Sequence, residues 1–467
     1  MTTRRQFLTA ATAGAAALAL RGASAQQPQA KDQRPNIILA MADDQGWGDT
    51  GYNGHPFIIT PTLDEMAKSG VRFDRWYAAA PVCSPTRGSC LTGRHPYRYG
   101  IFFANVGHML PQEITLAEAL KTQGYVTGHF GKWHLGTMTT TMRDSNRGRP
   151  GDTRHFSPPW KNGFDVCFST EAKVPTCNPM LKPGTNEPYG THYWREDGFA
   201  VTDQLKGDDS RIIMDRVIPF IRRAVRERKP FLAVIWFHAP HLPVLAEPKY
   251  RRLYQGKRGA NPDYHGCITA MDEQLGRLRR TLRELGVAEN TMLWFCSDNG
   301  PEGRAGKAPG SAGPLRGRKR SLFEGGVRVP GILEWPARVK KPRRTAIPCC
   351  TSDYYPTVLD ILGFEPKGQP KPLDGISLLP LIEGKMAERP KPIAFESRGQ
   401  LALSDNRYKL IRPGGGQRWM LFDLAEDPGE KRDLAAEKPK VVEEMKAALL
   451  DWQRSCAASR RGEDYRA

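Results

Sequence analysis

Three short apolar runs in the sequence end in residues that bind metals or move protons. Asn36–Ala42 runs into Asp43-Asp44, Phe231–Phe237 into His238, and Thr291–Cys296 into Ser297-Asp298-Asn299. Each run is rich in branched and aromatic residues, the pattern of a strand buried on both faces. Ligands of open α/β sheets sit just beyond the carboxyl ends of such strands. Taken alone, Asp43-Asp44 reads better as a turn or an N-cap pair. Three such groups, each following a buried strand, read instead as one site.

Four further strings carry reactive side chains. They are Cys83-Ser84-Pro85-Thr86-Arg87 with Leu91-Thr92-Gly93-Arg94, Gly131-Lys132-Trp133-His134-Leu135-Gly136, His238-Ala239-Pro240-His241, and Gly317-Arg318-Lys319 leading to Phe323-Glu324-Gly325-Gly326. A lone cysteine is more often a packed thiol, and a lone histidine a satisfied polar group. Together, and in this order with the acid pairs, the strings resemble the signature of the type I sulfatases of the alkaline phosphatase superfamily. The resemblance runs from Asn36 to Pro330, and Leu421-Phe422-Asp423-Leu424 with Asp427-Pro428 looks like the family's C-terminal part. One departure is Arg318, where a glycine is more usual before the lysine.

The resemblance implies a mechanism. Cys83 would be oxidised to Cα-formylglycine by a formylglycine-generating enzyme. One hydroxyl of the aldehyde hydrate attacks sulfur; the other, once deprotonated, restores the aldehyde and expels sulfate. By the same resemblance Asp43, Asp44, Asp298 and Asn299, with residue 83, hold a divalent cation. Asp and Asn oxygens suit a hard ion, Ca²⁺ by resemblance and Mg²⁺ or Mn²⁺ as alternatives, and a set without histidine speaks against zinc. The cation would lower the pKa of the hydrate and polarise a sulfate oxygen. Arg87 would hold the hydrate, Lys132 would contact hydrate and sulfate, and His134 would help deprotonate the sulfated intermediate. Asp298 would take the proton of the attacking hydroxyl. Lys132, Lys319, Arg87 and His241 would neutralise the sulfuryl oxygens. His241, with Lys319, would protonate the leaving alcohol, and His238 would face the substrate. The implied reaction is hydrolysis of a sulfate monoester, of a sulfated carbohydrate or an aryl alcohol. Two alternatives stand beside it: a phosphonate or phosphate ester hydrolase of the same superfamily, and a non-catalytic binder of sulfated glycans with an unmodified Cys83.

These side chains need a scaffold. Ile268, Met271, Leu275, Leu278, Leu282 and Leu285 recur at helical spacing and predict an amphipathic helix on the sheet. Arg211–Arg228, Ile114–Lys121, Asp353–Leu362 and Val441–Gln453 read as further helices. Thr137–Trp160 is polar and irregular, a surface insertion. From about Lys391 short strand-like pieces appear, Pro392–Phe395 and Tyr408–Ile411. The predicted fold is α/β: a large, mixed but mostly parallel sheet sandwiched by helices, alkaline-phosphatase-like, over 35–390. A small C-terminal α+β subdomain follows over 391–467.

Composition agrees with a secreted enzyme. Of 467 residues 39% are hydrophobic, with 46 Gly and 38 Pro, so a packed, loop-rich globule is expected and wholesale disorder is excluded. No run reaches the roughly 18 apolar residues of a membrane span. The formal charge of +19 suits an anionic partner, here a sulfated polysaccharide rather than nucleic acid. Arg4-Arg5, the apolar stretch Phe7–Leu20 and Ala23-Ser24-Ala25 read as a twin-arginine (Tat) signal over 1–25. A polar tether follows over 26–34. Export through the Tat machinery to the periplasm or beyond is implied. Nine cysteines leave one unpaired in any disulfide scheme, and Cys167 with Cys177 is a possible pair in an oxidising envelope.

Overall fold

The three apolar runs that precede the acids and His238 form adjacent parallel strands. Asn36–Ala42 lies between Thr291–Ser297 and Phe231–Trp236, with Met41 opposite both Cys296 and Trp236. That register brings Asp43, Asp298 and Phe237-His238 to one end of the sheet. The computed structural model describes residues 34–465 apart from 415 and 417, so the expected signal at 1–25 and nearly all of the expected tether at 26–34 fall outside the described residues.

The main sheet has nine strands. From edge to edge they are Arg343–Thr345, Val71–Phe73, Gly331–Glu334, Thr291–Ser297, Asn36–Ala42, Phe231–Trp236, Val126–Lys132, Val166–Thr170 and Tyr193–Trp194. The central five, Thr291–Ser297 through Val166–Thr170, are mutually parallel, and antiparallel pairs flank them. Alternation splits the sheet between two cores. Ile38, Ala40, Ala233, Ile235, Leu293 and Phe295 pack on helices Asp209–Arg226 and Pro262–Glu284. Ile37, Leu39, Met41, Val234, Trp236 and Trp294 pack on the other face with Cys90, Leu91 and Tyr354.

Helix Pro262–Glu284 begins where Asn261 accepts from the backbone N–H of Asp263 and Tyr264 and Pro262 occupies the first turn. Its stripe of Ile268, Met271, Leu275, Leu278 and Leu282 is buried, each side chain worth roughly 1.5–3 kcal/mol. Thr137–Trp160 is irregular, but it is not simply surface: Asp144 is buried and accepts from Trp194 Nε1, and Ser157 O accepts from Trp133 Nε1.

The C-terminal part is a four-stranded antiparallel sheet, Ile393–Ser397, Gln400–Ser404, Tyr408–Arg412 and Met420–Asp423, closed by helix Pro439–Arg460. One face of it, with Phe395, Ile411 and Phe422, shares a core with Tyr77, Leu322 and Val327. All nine cysteines are buried and free, so Cys167 and Cys177 are not joined. No helix among the described residues is long and apolar enough to cross a membrane.

Candidate active site

Cys83 is the first residue of helix Cys83–Thr92, entered from extended Val82. Its Sγ lies 3.5 Å from Asp43 Oδ1. One turn on, Arg87 is fully buried. Its Nε and Nη2 donate to Asp298 Oδ2 at 3.1 and 2.7 Å, its Nη1 donates to the Lys132 carbonyl at 2.9 Å, and it lies over the Trp236 ring. The helix thus ties residue 83 to three strand ends at once.

Lys132 ends its strand and donates to Asp43 Oδ2 at 2.7 Å. Gly131 makes this possible. It sits at φ +98°, and a Cβ there would lie 1.9 Å from the Trp236 carbonyl. Asp44 also takes a left-handed conformation, φ 67°, which Asp tolerates better than most residues. That turn lets its N–H donate to Asp298 Oδ1 at 3.0 Å. Lys319 donates to both Asp44 oxygens, at 2.6 and 2.8 Å, and Asn299 Nδ2 donates to Asp44 Oδ1 at 2.7 Å. His241 Nε2 lies 3.6 Å from Asp44 Oδ2 while its Nδ1 donates to the Leu242 carbonyl.

Three carboxylates, Asp43, Asp44 and Asp298, therefore face Arg87, Lys132 and Lys319 with almost no solvent. Burial opposes the charge on Asp43, but Lys132, His241 and Arg87 hold it well below the usual carboxylate range. Burial and the neighbouring Asp43 push Asp298 up to about 7, against Arg87. Burial opposes the charge on Lys319, yet Asp44 keeps its ammonium well above its ordinary value. Burial pushes the Cys83 thiol up, so at neutral pH it is not a thiolate. Burial takes His241 down to about 4, leaving its ring neutral at pH 7.

The donor set fits a divalent cation. Ligand atoms of Asp43, Asp44, Cys83 and His241 all lie within 4.8 Å of one another. Asn299 Oδ1, beside them, is buried with no hydrogen-bond partner. With Nδ1 donating to Leu242, neutral His241 points a bare Nε2 at Asp44, an arrangement a shared proton or cation satisfies. A histidine at this cluster was not anticipated in the all-oxygen set.

Cys83, Lys132, His134, His241 and Lys319 line a pocket of about 480 Å³. Asp43, Asp44, Arg87, Asp298 and Asn299 lie buried behind them. His134, at φ 60°, donates from Nε2 to Asn105 Oδ1 at 2.9 Å. His238 corrects the expectation that it faces substrate. Its ring is fully buried, with Nε2 2.8 Å from Thr170 Oγ1 and Nδ1 2.8 Å from Asp209 Oδ2, and it does not line the pocket. Both ring nitrogens are satisfied inside the protein, so it supports the strand ends rather than a ligand.

Further residues of the pocket wall went unread in the sequence, among them Phe103, Asn105, Asn146, Lys173, Leu242 and Glu302. Glu302, four residues after Asp298, pairs with Arg320 and lies 3.4 Å from Lys319. Its place just past the Asp298-Asn299-Gly300 string was the available signal.

Comparison with known proteins agrees with this geometry. A family model described as Sulfatase matches residues 35–364, and one described as N-sulphoglucosamine sulphohydrolase, C-terminal, matches 317–455. N-acetylgalactosamine-6-sulfatase of Sus scrofa is 35% identical over 402 residues, covering 81% of this chain and 71% of its own. Steryl-sulfatase of Mus musculus is 32% identical, covering 75% and 65%. The crystal structure of Ps i-CgsB in complex with k-i-k-neocarrahexaose superposes with a TM-score of 0.78 at 28% identity, over 90% of this chain and 93% of that one. The phosphonate monoester hydrolase of Agrobacterium radiobacter shares the fold, with a TM-score of 0.64 at 21% identity over 91% and 96%.

Proposed function

The chain belongs to the sulfatase family and is a sulfuric ester hydrolase, and on that premise we propose that it releases sulfate from sulfated carbohydrate through a formylglycine made from Cys83. The observation that carries this reading is the pair of buried ion pairs, Asp43–Lys132 and Asp44–Lys319, converging beside Cys83 at a pocket. A buried thiol held protonated is a poor nucleophile, so residue 83 needs conversion before it can attack. The hydrated aldehyde supplies both a nucleophilic oxygen and an internal way to expel sulfate.

Asp43, Asp44, Asp298 and Asn299 would hold the cation, which supplies Lewis acidity toward a sulfate oxygen; Ca²⁺, Mg²⁺ and Mn²⁺ all suit the donors. Lys132 and Lys319 present fixed positive charge to the sulfuryl oxygens, already oriented by Asp43 and Asp44. His134, neutral because burial and then Lys132 hold its pKa well below the ordinary value, offers a ring nitrogen that takes up a proton. Asp298, its carboxyl raised to about 7 by burial and then Asp43, would take the proton of the attacking hydroxyl of residue 83. Lys319, kept an ammonium by Asp44, hydrogen-bonds the leaving oxygen and is the group placed to give it a proton, while neutral His241, whose one ring proton is held by the Leu242 carbonyl, can only accept there.

Sulfated carbohydrate is favoured because N-acetylgalactosamine-6-sulfatase is among the relatives and Ps i-CgsB was solved with a neocarrahexaose. The likeness to the phosphonate hydrolase, at 21% identity, speaks for the fold alone. Export by a twin-arginine signal to the periplasm or outside, after conversion of Cys83 by a formylglycine-generating enzyme, completes the proposal. Its test is mass spectrometry of the tryptic peptide 76–87 from active enzyme, together with sulfate release from a panel of sulfated sugars and an aryl phosphonate. An aldehyde at residue 83 and sulfate release are expected. Full activity with an intact Cys83 thiol, or faster phosphonate cleavage, overturns the reading.

A further inference from the structure

The cations of the pocket divide into two groups. Lys132 is paired with Asp43 at 2.7 Å, Lys319 with Asp44 at 2.6 Å, and Arg320 with Glu302 at 2.9 Å. Lys173 lines the same pocket, is half-buried, and has no hydrogen-bond or ion-pair partner among the described residues. The adjacent carboxylate does not serve it: Glu171 is engaged by Arg147 Nε at 3.2 Å and by the Gly148 N–H at 3.2 Å.

Backbone pairing fixes where Lys173 stands. Lys132 is opposite Thr170 in the parallel ladder, the Trp133 N–H donates to the Thr170 carbonyl, and the His134 N–H donates to the Glu171 carbonyl. The two strand ends leave the sheet side by side, and Lys173, two residues past Glu171, lines the same pocket as Lys132 and His134. The Arg398 guanidinium lies 3.5 Å over the ring of Phe103, another wall residue, and has no acidic partner among the described residues.

A half-desolvated ammonium with no counter-charge costs free energy that a bound anion recovers. The scissile sulfate is already faced by Lys132 and Lys319. We infer that Lys173 reads a second anionic group of the substrate, a carboxylate or a further sulfate on the same or the adjoining sugar. This rests on the sulfatase reading and narrows it: the preferred substrate is a polyanionic glycan unit rather than an isolated monosulfate.

The test compares kcat/KM for sulfate release by the full, formylglycine-bearing enzyme and its Lys173→Met and Lys173→Arg variants. Three substrates are used: a hexose monosulfate, the hexose disulfate, and the monosulfate linked to a uronic acid. The wild type is expected to prefer at least one dianionic substrate by about ten-fold or more, as one well-placed charge pair allows. Lys173→Met should erase that preference while changing the monosulfate rate less than about two-fold, and Lys173→Arg should keep it. Which dianionic substrate responds tells carboxylate from sulfate. An equal loss on all three places Lys173 at the scissile sulfate and overturns the inference; a wild type with no preference overturns it too. A wild type that releases sulfate from none of them, nor from an aryl sulfate, overturns the sulfatase reading and this inference with it.

Discussion

Asn105 Oδ1 lies 2.9 Å from His134 Nε2, and His134 Nδ1 is buried with no partner. Asn146 Nδ2 also points at Asn105 Oδ1, at 3.2 Å, which makes that atom the acceptor and Nε2 the protonated nitrogen of the ring. His134 therefore shows a bare Nδ1 lone pair. Asn105→Ala frees the tautomer and should lower kcat by about ten-fold with little change in KM. Steady-state kinetics on a hexose sulfate checks this; an unchanged kcat contradicts it.

Gly131 is a packing requirement of the site. A side chain there meets the Trp236 carbonyl and must also adopt a left-handed φ. Gly131→Ala should cost about 3–4 kcal/mol, combining overpacking with backbone strain. Gly151, also at positive φ but with open space around a Cβ, is the control, and Gly151→Ala should cost only about 1 kcal/mol. Denaturant unfolding measures both.

Arg98 and Asp374 lock the C-terminal helix to the catalytic part. Arg98 donates to Asp374 at 2.6 and 2.9 Å and to Ser455 and Ser459, and Trp452 Nε1 donates to Asp374. Burial opposes the carboxylate charge, but Arg98 overrules it and holds Asp374 well below its usual range. With the folded pKa below the unfolded value of about 3.9, the contribution is complete above about pH 4 and is lost as pH falls toward the folded value. Asp374→Asn should cost about 3–5 kcal/mol at pH 7 and a smaller amount at pH 3. Equal losses at both pH values argue against it.

Much of this was legible in the sequence because it depends on local pattern. Asn36–Ala42 and Thr291–Cys296 are continuous apolar runs, and buried parallel strands look like that whatever surrounds them. What a buried strand end delivers is likewise local, so Asp43, Asp44 and Asp298 read correctly as neighbours. His238 did not, because its fate depends on Thr170 and Asp209, which lie 68 and 29 residues away in sequence. Arg318 is similar. In sequence it is a departure beside Lys319; in the fold its guanidinium donates to the carbonyls of Gly310 and Glu302 and braces the loop whose Glu302 meets Lys319. Lys173 and Asn105 sit on irregular backbone, where no periodicity marks which way a residue faces.

Removal of the cation gives the sharpest separation between the site and its scaffold. Asp43, Asp44 and Asp298 are matched by Arg87, Lys132 and Lys319 without any metal, so the stripped protein should remain folded. Chelation followed by dialysis should then abolish sulfate release while leaving the circular dichroism spectrum unchanged. Returning the ion at 100 times its Kd should restore turnover and raise unfolding stability by about 2.7 kcal/mol. Trying Ca²⁺, Mg²⁺ and Mn²⁺ separately identifies the ion by both readouts. Asn299→Ala removes the one orphaned oxygen of the cluster without touching an ion pair, so it should weaken metal binding, read as a larger concentration needed for the same thermal shift. If Asn299→Ala binds metal as tightly as the parent, Asn299 is not a ligand.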